Sequence, residues 1–227
     1  MRYLLKHAPS FALLEVSLAP DEVLVADAGT MVARSPAIRV DVRLNAGRRP
    51  GFFAKLQAFF IAVLRKISGG EILFMNHVRA PSGGFVWLAP PVSGAVKHIP
   101  LRGQRLLLLP GAYVASVGVV DLKVRWAGWR SIFSREATFL LEVSGKGDLW
   151  VAAYGALEEI DVNGSYVVDR GHLIAFDASL EYEVQGPTVG LGPSGEGAAM
   201  ELTGQGKVLV QTRNKNALAG WIARHLP

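Results

Sequence analysis

Between Val120 and Trp126, apolar and polar side chains alternate one for one: Val120, Leu122, Val124 and Trp126 against Asp121, Lys123 and Arg125. A period of two puts successive side chains on opposite faces, so the pattern predicts a strand with one face buried. The stretch is one of three that begin alike. Gly29 opens GTMVARSPAIRVDVRL, Gly111 opens GAYVASVGVVDLKVRW and Gly171 opens GHLIAFDASLEYEVQ. Each reads Gly-x-x-(Val/Ile)-Ala, then a polar or small break, then alternation. An apolar or mixed run precedes each glycine: EVLVADA, RLLLLP and YVVDR. After an insertion, each copy resumes with two strand-like runs, in EILFMNHVRAPSGGFVWLAP, EATFLLEVSGKGDLWVAAYG and EGAAMELTGQGKVLVQTR.

The glycines read as punctuation. Gly145/Gly147 and Gly204/Gly206 are expected to form the same tight turn between paired strands, with Gly83/Gly84 in the first copy, because a turn needs a positive φ that other residues resist. Asn163-Gly164-Ser165 reads as a type I′ hairpin. The expected fold is all-β: one antiparallel sandwich or barrel-like domain over residues 1–227, built of three pseudo-repeats at about 14–101, 102–162 and 163–213. NKNALAGWIARHLP predicts a short C-terminal helix over 215–225.

One segment breaks the β pattern. In PGFFAKLQAFFIAVLRKISGG, from Pro50 to Gly70, Phe52, Leu56, Phe59, Phe60, Val63 and Ile67 recur at helical spacing, while Lys55, Arg65 and Lys66 fall on the opposite stripe. This predicts an amphipathic helix inserted in the first copy. It is too short and too charged to span a bilayer, and no run in the chain reaches about 18–20 apolar residues. The N-terminal MRYLLKHAPSFALLEV lacks the apolar core of a signal peptide. A cytoplasmic protein, at most peripheral to a membrane, is expected.

Charge sharpens this picture. The net charge is +5, a modest excess. Its placement is uneven: Arg48, Arg49, Lys55, Arg65 and Lys66 lie in the first insertion, and Lys123, Arg125, Arg130 and Arg135 in the matching part of the second copy, with no acid inside either stretch. The remaining chain holds 15 bases against 19 acids. Equivalent loops of pseudo-symmetric copies would lie on one side, giving a basic face. The same loops carry Phe52, Phe53, Phe59, Phe60, Trp126, Trp129, Ile132 and Phe133. Arg48, Arg49, Phe52, Phe53, Lys55, Phe59, Phe60, Arg65, Lys66, Trp129 and Arg130 are therefore the candidate contacts to an anionic membrane surface or a partner protein, since aromatic rings insert where Lys and Arg meet anionic headgroups. Packing onto the sheets or an oligomer contact is the plainer reading of the same residues. Single-stranded nucleic acid, which also takes stacking and phosphate pairing, is the lesser alternative.

Most enzyme classes find no footing. There is no cysteine, hence no disulfide, thiolate zinc site or cysteine nucleophile. His7, His77, His98, His172 and His225 are too dispersed for metal-ligand spacing. GLGPSG at 190–195 matches a dinucleotide loop in form, but Pro187 and Pro193 flank it and a strand-like run follows, so a strand connection is the reading. No nucleophile elbow or phosphate loop occurs. Glu158, Glu159 and Asp161 in LEEID read as a solvated strand end. No catalytic residue, metal or cofactor is expected.

GAYVAS at 111–116, AAYGAL at 152–157, GHLIAFDASLEYEV at 171–184 and TGQGKVLVQTR at 203–213 resemble the altered-inheritance-of-mitochondria-24 family, over nearly the whole chain. The resemblance implies a β fold akin to that of the tryptophan RNA-binding attenuation protein and a homo-oligomer; it supplies no catalytic residues. Three readings follow: an oligomeric, non-enzymatic β scaffold meeting a membrane or partner through a basic-aromatic face; a nucleic-acid-binding ring; and a small-ligand binder or enzyme with a pocket between repeats, for which His172, Tyr154, Asp177 and Glu181 are the residues to inspect.

Overall fold

Alternating burial runs through the strands as the sequence pattern requires. In the strand Leu13–Leu18, Leu14, Val16 and Leu18 are buried while the residues between them face outward. A computed structural model describes residues 1–44, 74–126, 139–185 and 199–225. The strands are β1 (Arg2–Lys6), β2 (Leu13–Leu18), β3 (Val23–Asp27), β4 (Met31–Arg34), β5 (Arg39–Leu44), β6 (Phe74–Arg79), β7 (Gly84–Leu88), β8 (Val96–Leu108), β9 (Tyr113–Trp126), β10 (Phe139–Ala152), β11 (Leu157–Asp169), β12 (Leu173–Asp177), β13 (Glu181–Gln185) and β14 (Ala199–Gln211). A 3-10 turn covers Arg170–His172, and helix α1 spans Lys215–His225, where the sequence places it. The inserted helix expected near Pro50–Gly70 and the glycine loop at 190–195 lie outside the described residues. Strand β1, by contrast, is an element the sequence pattern did not announce.

The named strands form two sheets. The smaller has the order β1-β2-β7-β4. The larger runs β11-β14-β12-β8-β10-β9-β3-β6-β5, with β13 also paired to β14. All the strand ladders are antiparallel. The sheets do not close into a barrel.

Near the N-terminus the chain repeatedly steps from one sheet to the other. β2, β4 and β7 lie in the small sheet, and β3, β5 and β6, their neighbours in sequence, lie in the large one. Leu14, Val16, Val86 and Leu88 from the first layer pack with Leu24, Val78 and Ala26 from the second. This is a sandwich whose strands change sheet at short breaks. The breaks are tied together: Asp21 donates to Ala80 O at 2.7 Å, Ala80 donates to Glu22 O at 3.2 Å, and the Phe85 amide donates to Ser35 Oγ at 2.8 Å. Tyr113, fully enclosed, fastens β9 to β3 by donating its phenol hydrogen to Val25 O at 2.9 Å, while the Ser116 hydroxyl donates to the Tyr113 oxygen at 2.8 Å. Burial pushes the Tyr113 phenol up.

Farther along, the strands bend without breaking. β8, β9, β10, β11 and β14 each run 13 or 14 residues. The expected tight turns at Gly145/Gly147 and Gly204/Gly206 are not turns: both pairs lie inside β10 and β14. Asn163-Gly164 is likewise no hairpin. It sits mid-strand in β11, with Asn163 opposite Gln205 and Gly164 opposite Gly204. The positive φ is real at Gly145, Gly147, Gly164 and Gly204 but serves a bend in the sheet. Gly118 faces Gly147 across β9 and β10, and Gly145 marks a bulge where β10 passes Gly103 of β8. At the other bend, β12 and β13 part at Ala178–Leu180, over Gly206. Of the expected turn pairs, Gly83/Gly84 alone stands at a connection between separate strands, with Gly83 in the turn and Gly84 opening β7.

The buried residues gather in three clusters. One fills the N-terminal sandwich and includes Trp150; a second centres on Leu108, Leu141, Leu149 and Ile174; a third centres on Phe176, Met200, Leu202 and Val208. β12 lies between β14 and β8, and its first four residues are all buried, as a central strand covered on both faces demands.

LEEID is more than a solvated strand end. Glu159 of β11 accepts from Lys207 of β14 and lies 2.7 Å from Lys97 Nζ of β8, with Asp161 3.4 Å from Lys207. The hydrogen bonds from Lys207 and Lys97 hold the Glu159 carboxyl below its ordinary range, against the opposing effect of partial burial. A carboxyl lowered in the folded state stabilises it above its unfolded value, and that contribution is lost as pH falls through the folded one. Exposed pairs of this type contribute about 0.2–1 kcal/mol each. Glu159→Gln should therefore lower the urea midpoint at pH 7, and the two proteins should converge in acid below the ordinary carboxylate value of 4.5. Equal midpoints at pH 7 would show that the cluster contributes nothing.

Candidate functional site

The residues expected to contact a membrane or partner, Arg48, Arg49, Phe52, Phe53, Lys55, Phe59, Phe60, Arg65, Lys66, Trp129 and Arg130, all lie outside the described residues. What is described is how their segments are held. Leu44 pairs with Phe74, Trp126 with Phe139 and Gln185 with Ala199, so each insertion leaves and rejoins a ladder at adjacent positions. Part of the second basic stretch is neutralised by a residue distant in sequence. Arg125 Nε lies 2.6 Å from Glu142 Oε2, and Glu142, on the neighbouring strand, is only 5 % exposed. Lys123 Nζ lies 3.4 Å from Asp121. A stretch free of acid in sequence is thus paired with acid in space.

The described residues also form a cleft of about 200 Å³ where the β8–β9 turn, the end of β10, the start of β12 and the segment leading into α1 meet. Gly111 and Gly171, which open two of the similar sequence stretches, both line it, with Tyr154 between them in sequence. Gln211, the last residue of β14, clasps the wall. Its Oε1 accepts from the Tyr154 amide at 2.8 Å, its Nε2 donates to Gly171 O at 2.9 Å, and its backbone carbonyl accepts from His172 Nδ1 at 2.8 Å. A carbonyl only accepts, so Nδ1 carries the hydrogen there. Asn214 packs against the bare Cα of Gly171: a Cβ there would stand 2.0 Å from Asn214 Nδ2 and would displace that side chain. Asn214 in turn caps α1, its Oδ1 accepting from the amides of Asn216 at 2.9 Å and Ala217 at 3.2 Å.

The polar lining is cationic and amide-rich. Arg170, 8 % exposed, and Lys215 contribute positive charge, while Gln211, Asn214 and Asn216 contribute amides; among the described residues no aspartate or glutamate lines the cleft. It offers no nucleophile paired with a base. Of the four residues chosen from sequence for a pocket between repeats, Tyr154 lines the cleft and His172 sits beside it through the Gln211 carbonyl. Asp177 and Glu181 are elsewhere: Asp177 Oδ2 accepts from the Lys207 amide at 2.7 Å, and Glu181 pairs in the ladder with Thr203. Arg170, Gln211 and Lys215 were missed. The available signal was an arginine closing the run YVVDR directly before the motif glycine, and a glutamine interrupting VLVQTR.

A second polar chain joins β1, β8 and β10. The Tyr3 hydroxyl lies 3.0 Å from His98 Nδ1, and His98 Nε2 lies 2.6 Å from Asp148 Oδ1. With neutral His98, the carboxylate takes the Nε2 hydrogen and Nδ1 accepts from Tyr3. Tyr3 also meets Trp150 edge-on, with ring centroids 5.3 Å apart. These contacts fasten β1 to β8 and β10. Among the described residues no group of three or more His, Asp or Glu is placed to hold a metal ion.

Comparison with known proteins adds a family and a fold. An uncharacterised protein of Streptococcus pyogenes serotype M6 is 26 % identical over 233 aligned positions, covering all of this chain and 92 % of that protein. A crystal structure of a Streptococcus pyogenes protein superposes with a TM-score of 0.80 at 23 % identity, covering 99 % of each chain. The family model described as Mitochondrial biogenesis AIM24 matches residues 3–213, and the chain belongs to that family.

Proposed function

We propose that this protein is a non-enzymatic, homo-oligomeric β scaffold that presents apolar and basic elements to an anionic membrane surface, as a peripheral protein of the cytoplasm. The observation that carries the reading is helix α1. None of its residues is buried. Leu218, Trp221 and Ile222 stand exposed at a spacing that puts them on one face. Its charged residues are Lys215 and Arg224, with no acid. An exposed helix with Trp and Leu on one face and only bases for charge matches an element lying in the plane of an anionic interface. The first insertion repeats this chemistry in sequence, with Phe52, Phe59 and Phe60 on one stripe and Lys55, Arg65 and Lys66 on the other. Among the described residues no helix is long and apolar enough to cross a membrane. We also propose three units, at about 14–101, 102–162 and 163–213, each holding its insertion at the end of a ladder. The cleft supports a second reading, a small-ligand binder.

Flotation with neutral and anionic liposomes tests the membrane reading, with mass followed by light scattering. The wild type should float with anionic vesicles alone and release as salt rises, because screening weakens attraction between exposed charges. Trp221→Glu and Phe59→Asp/Phe60→Asp should each lose most of the floated fraction. A wild type that stays at the bottom with both vesicle types overturns the reading. If Phe59→Asp/Phe60→Asp instead lowers the mass, that segment is an assembly contact.

A further inference from the structure

We propose that the outer edge of β11 pairs antiparallel with the outer edge of β4 in a second copy of this chain. The inference rests on the oligomeric reading above and names the contact that builds the oligomer. Two ladders already join successive parts of the chain. β3 meets β9 with Ala26↔Ala115, Val25↔Ser116 and Leu24↔Val117. β8 meets β12 with Leu108↔Ala175, Leu107↔Phe176 and Leu106↔Asp177. Gly29, Gly111 and Gly171 open the three similar sequence stretches, and counted from them the two registers are the same. In both, the residue four after one glycine faces the residue three before the preceding one. The same rule assigns a third ladder: Ala33↔Val168, Arg34↔Val167 and Ser35↔Tyr166. Among the described residues that ladder is absent, since β4 pairs only with β7 and β11 only with β14.

Burial marks the same gap. Val32, three after Gly29, is 58 % exposed, while its counterparts Val114 and Ile174 are each 1 % exposed. Val167, four before Gly171, is 54 % exposed, while its counterpart Leu107 is buried and Val25 half-buried. Both edges thus carry apolar side chains without the cover that a neighbouring strand gives elsewhere in the fold. An unpaired edge also presents a row of backbone donors and acceptors to another chain. The occupant is a second copy because the partner each edge requires, by the register of the two existing ladders, is the other edge of this same chain. Within one chain both edges stay exposed. Two copies related by a two-fold axis satisfy all four edges, β4 of each lying against β11 of the other.

Disulfide trapping tests the pairing, and the chain has no cysteine of its own to interfere. Directly opposed residues of an antiparallel ladder have Cα atoms about 4.5–5.5 Å apart, a distance a disulfide spans. A full chain carrying Arg34→Cys, mixed with a tagged full chain carrying Val167→Cys under mild oxidation, should give a covalent pair. Its yield should exceed that of either chain alone, or of Arg34→Cys mixed with Val119→Cys, by about tenfold or more. All three positions are exposed, so the fold tolerates the changes. Light scattering gives a second readout. Val167→Arg should weaken association about tenfold or more, because like charges directly opposite in a ladder repel. Adding Arg34→Glu to the same chain should restore it, although that change removes the bond from Arg34 Nη1 to Ile38 O at 2.6 Å. A wild type with the mass of one chain overturns the pairing and the oligomeric reading together. An oligomer whose mixed cysteine chains stay unlinked overturns the pairing alone, as does a link that forms only within one chain carrying both cysteines.

Discussion

Gly145→Ala is expected to cost the fold more than about 4 kcal/mol, enough to leave much of the protein unfolded or insoluble at 37 °C, given a typical stability of about 5–15 kcal/mol. Two effects add. Gly145 has φ +116°, a conformation that non-glycine residues resist at a cost of about 1–3 kcal/mol. A Cβ there would also stand 2.1 Å from Val119 O. That oxygen belongs to β9, whose ladder to β10 runs unbroken from Phe139↔Trp126 to Trp150↔Ala115, so it cannot retreat without opening the pairing. Gly103→Ala is the control. Gly103 has a similar φ of +107°, but a Cβ there meets nothing within 4 Å, so it should lose only the conformational part, about 1–3 kcal/mol. Urea unfolding of the three proteins separates the effects. Equal losses at both positions would refute the view that Gly145 is demanded by close approach of two strands.

Trp150→Ala should destabilise by about 3–5 kcal/mol, the usual range for emptying a large aromatic site. Trp150 is fully buried in the cluster that fills the N-terminal sandwich, though it comes from β10, so its loss separates parts of the chain far apart in sequence. Trp150→Phe is the informative companion. The indole Nε1 is buried with no hydrogen-bond partner among the described residues, and an unsatisfied buried donor costs about 1–3 kcal/mol. Phenylalanine removes that donor while leaving a smaller void, so the two terms oppose and the net loss should be well under half that of alanine. A loss for Phe as large as for Ala, read from denaturant midpoints, would mean that the indole ring's full volume governs the site.

Local periodicity predicts the elements, but not the contacts made only by folding. The alternation in GVVDLKVRW, the insertion points after Leu44, Trp126 and Gln185, and helix α1 all follow from local periodicity, because burying one face of a strand or helix repeats every two or 3.6 residues wherever the element sits. Arg125 illustrates the opposite case. Its stretch, Lys123 to Arg135, holds no acid in sequence, yet the ladder sets Glu142 within 2.6 Å. The cleft is a case of the same kind. Gly111, Tyr154, Arg170 and Lys215 span over a hundred positions, and no spacing rule links them until β8, β10, β12 and β14 are ordered side by side.

Local pattern is enough to predict antiparallel strands with alternating burial, a positive φ at glycines such as Gly145 and Gly164, and a helix after the last strand. What those glycines do depends on tertiary pairing. Gly164 and Gly145 meet the local requirement of a turn, yet they bend continuous strands, because the partner strands extend past them on both sides and keep the ladder going. A turn and a bend demand the same backbone angle, and the difference lies in which neighbours remain paired beyond it. The same long-range pairing brings Arg170 and Lys215 to one cleft, since side chains far apart in sequence share a site only when strand order makes them neighbours.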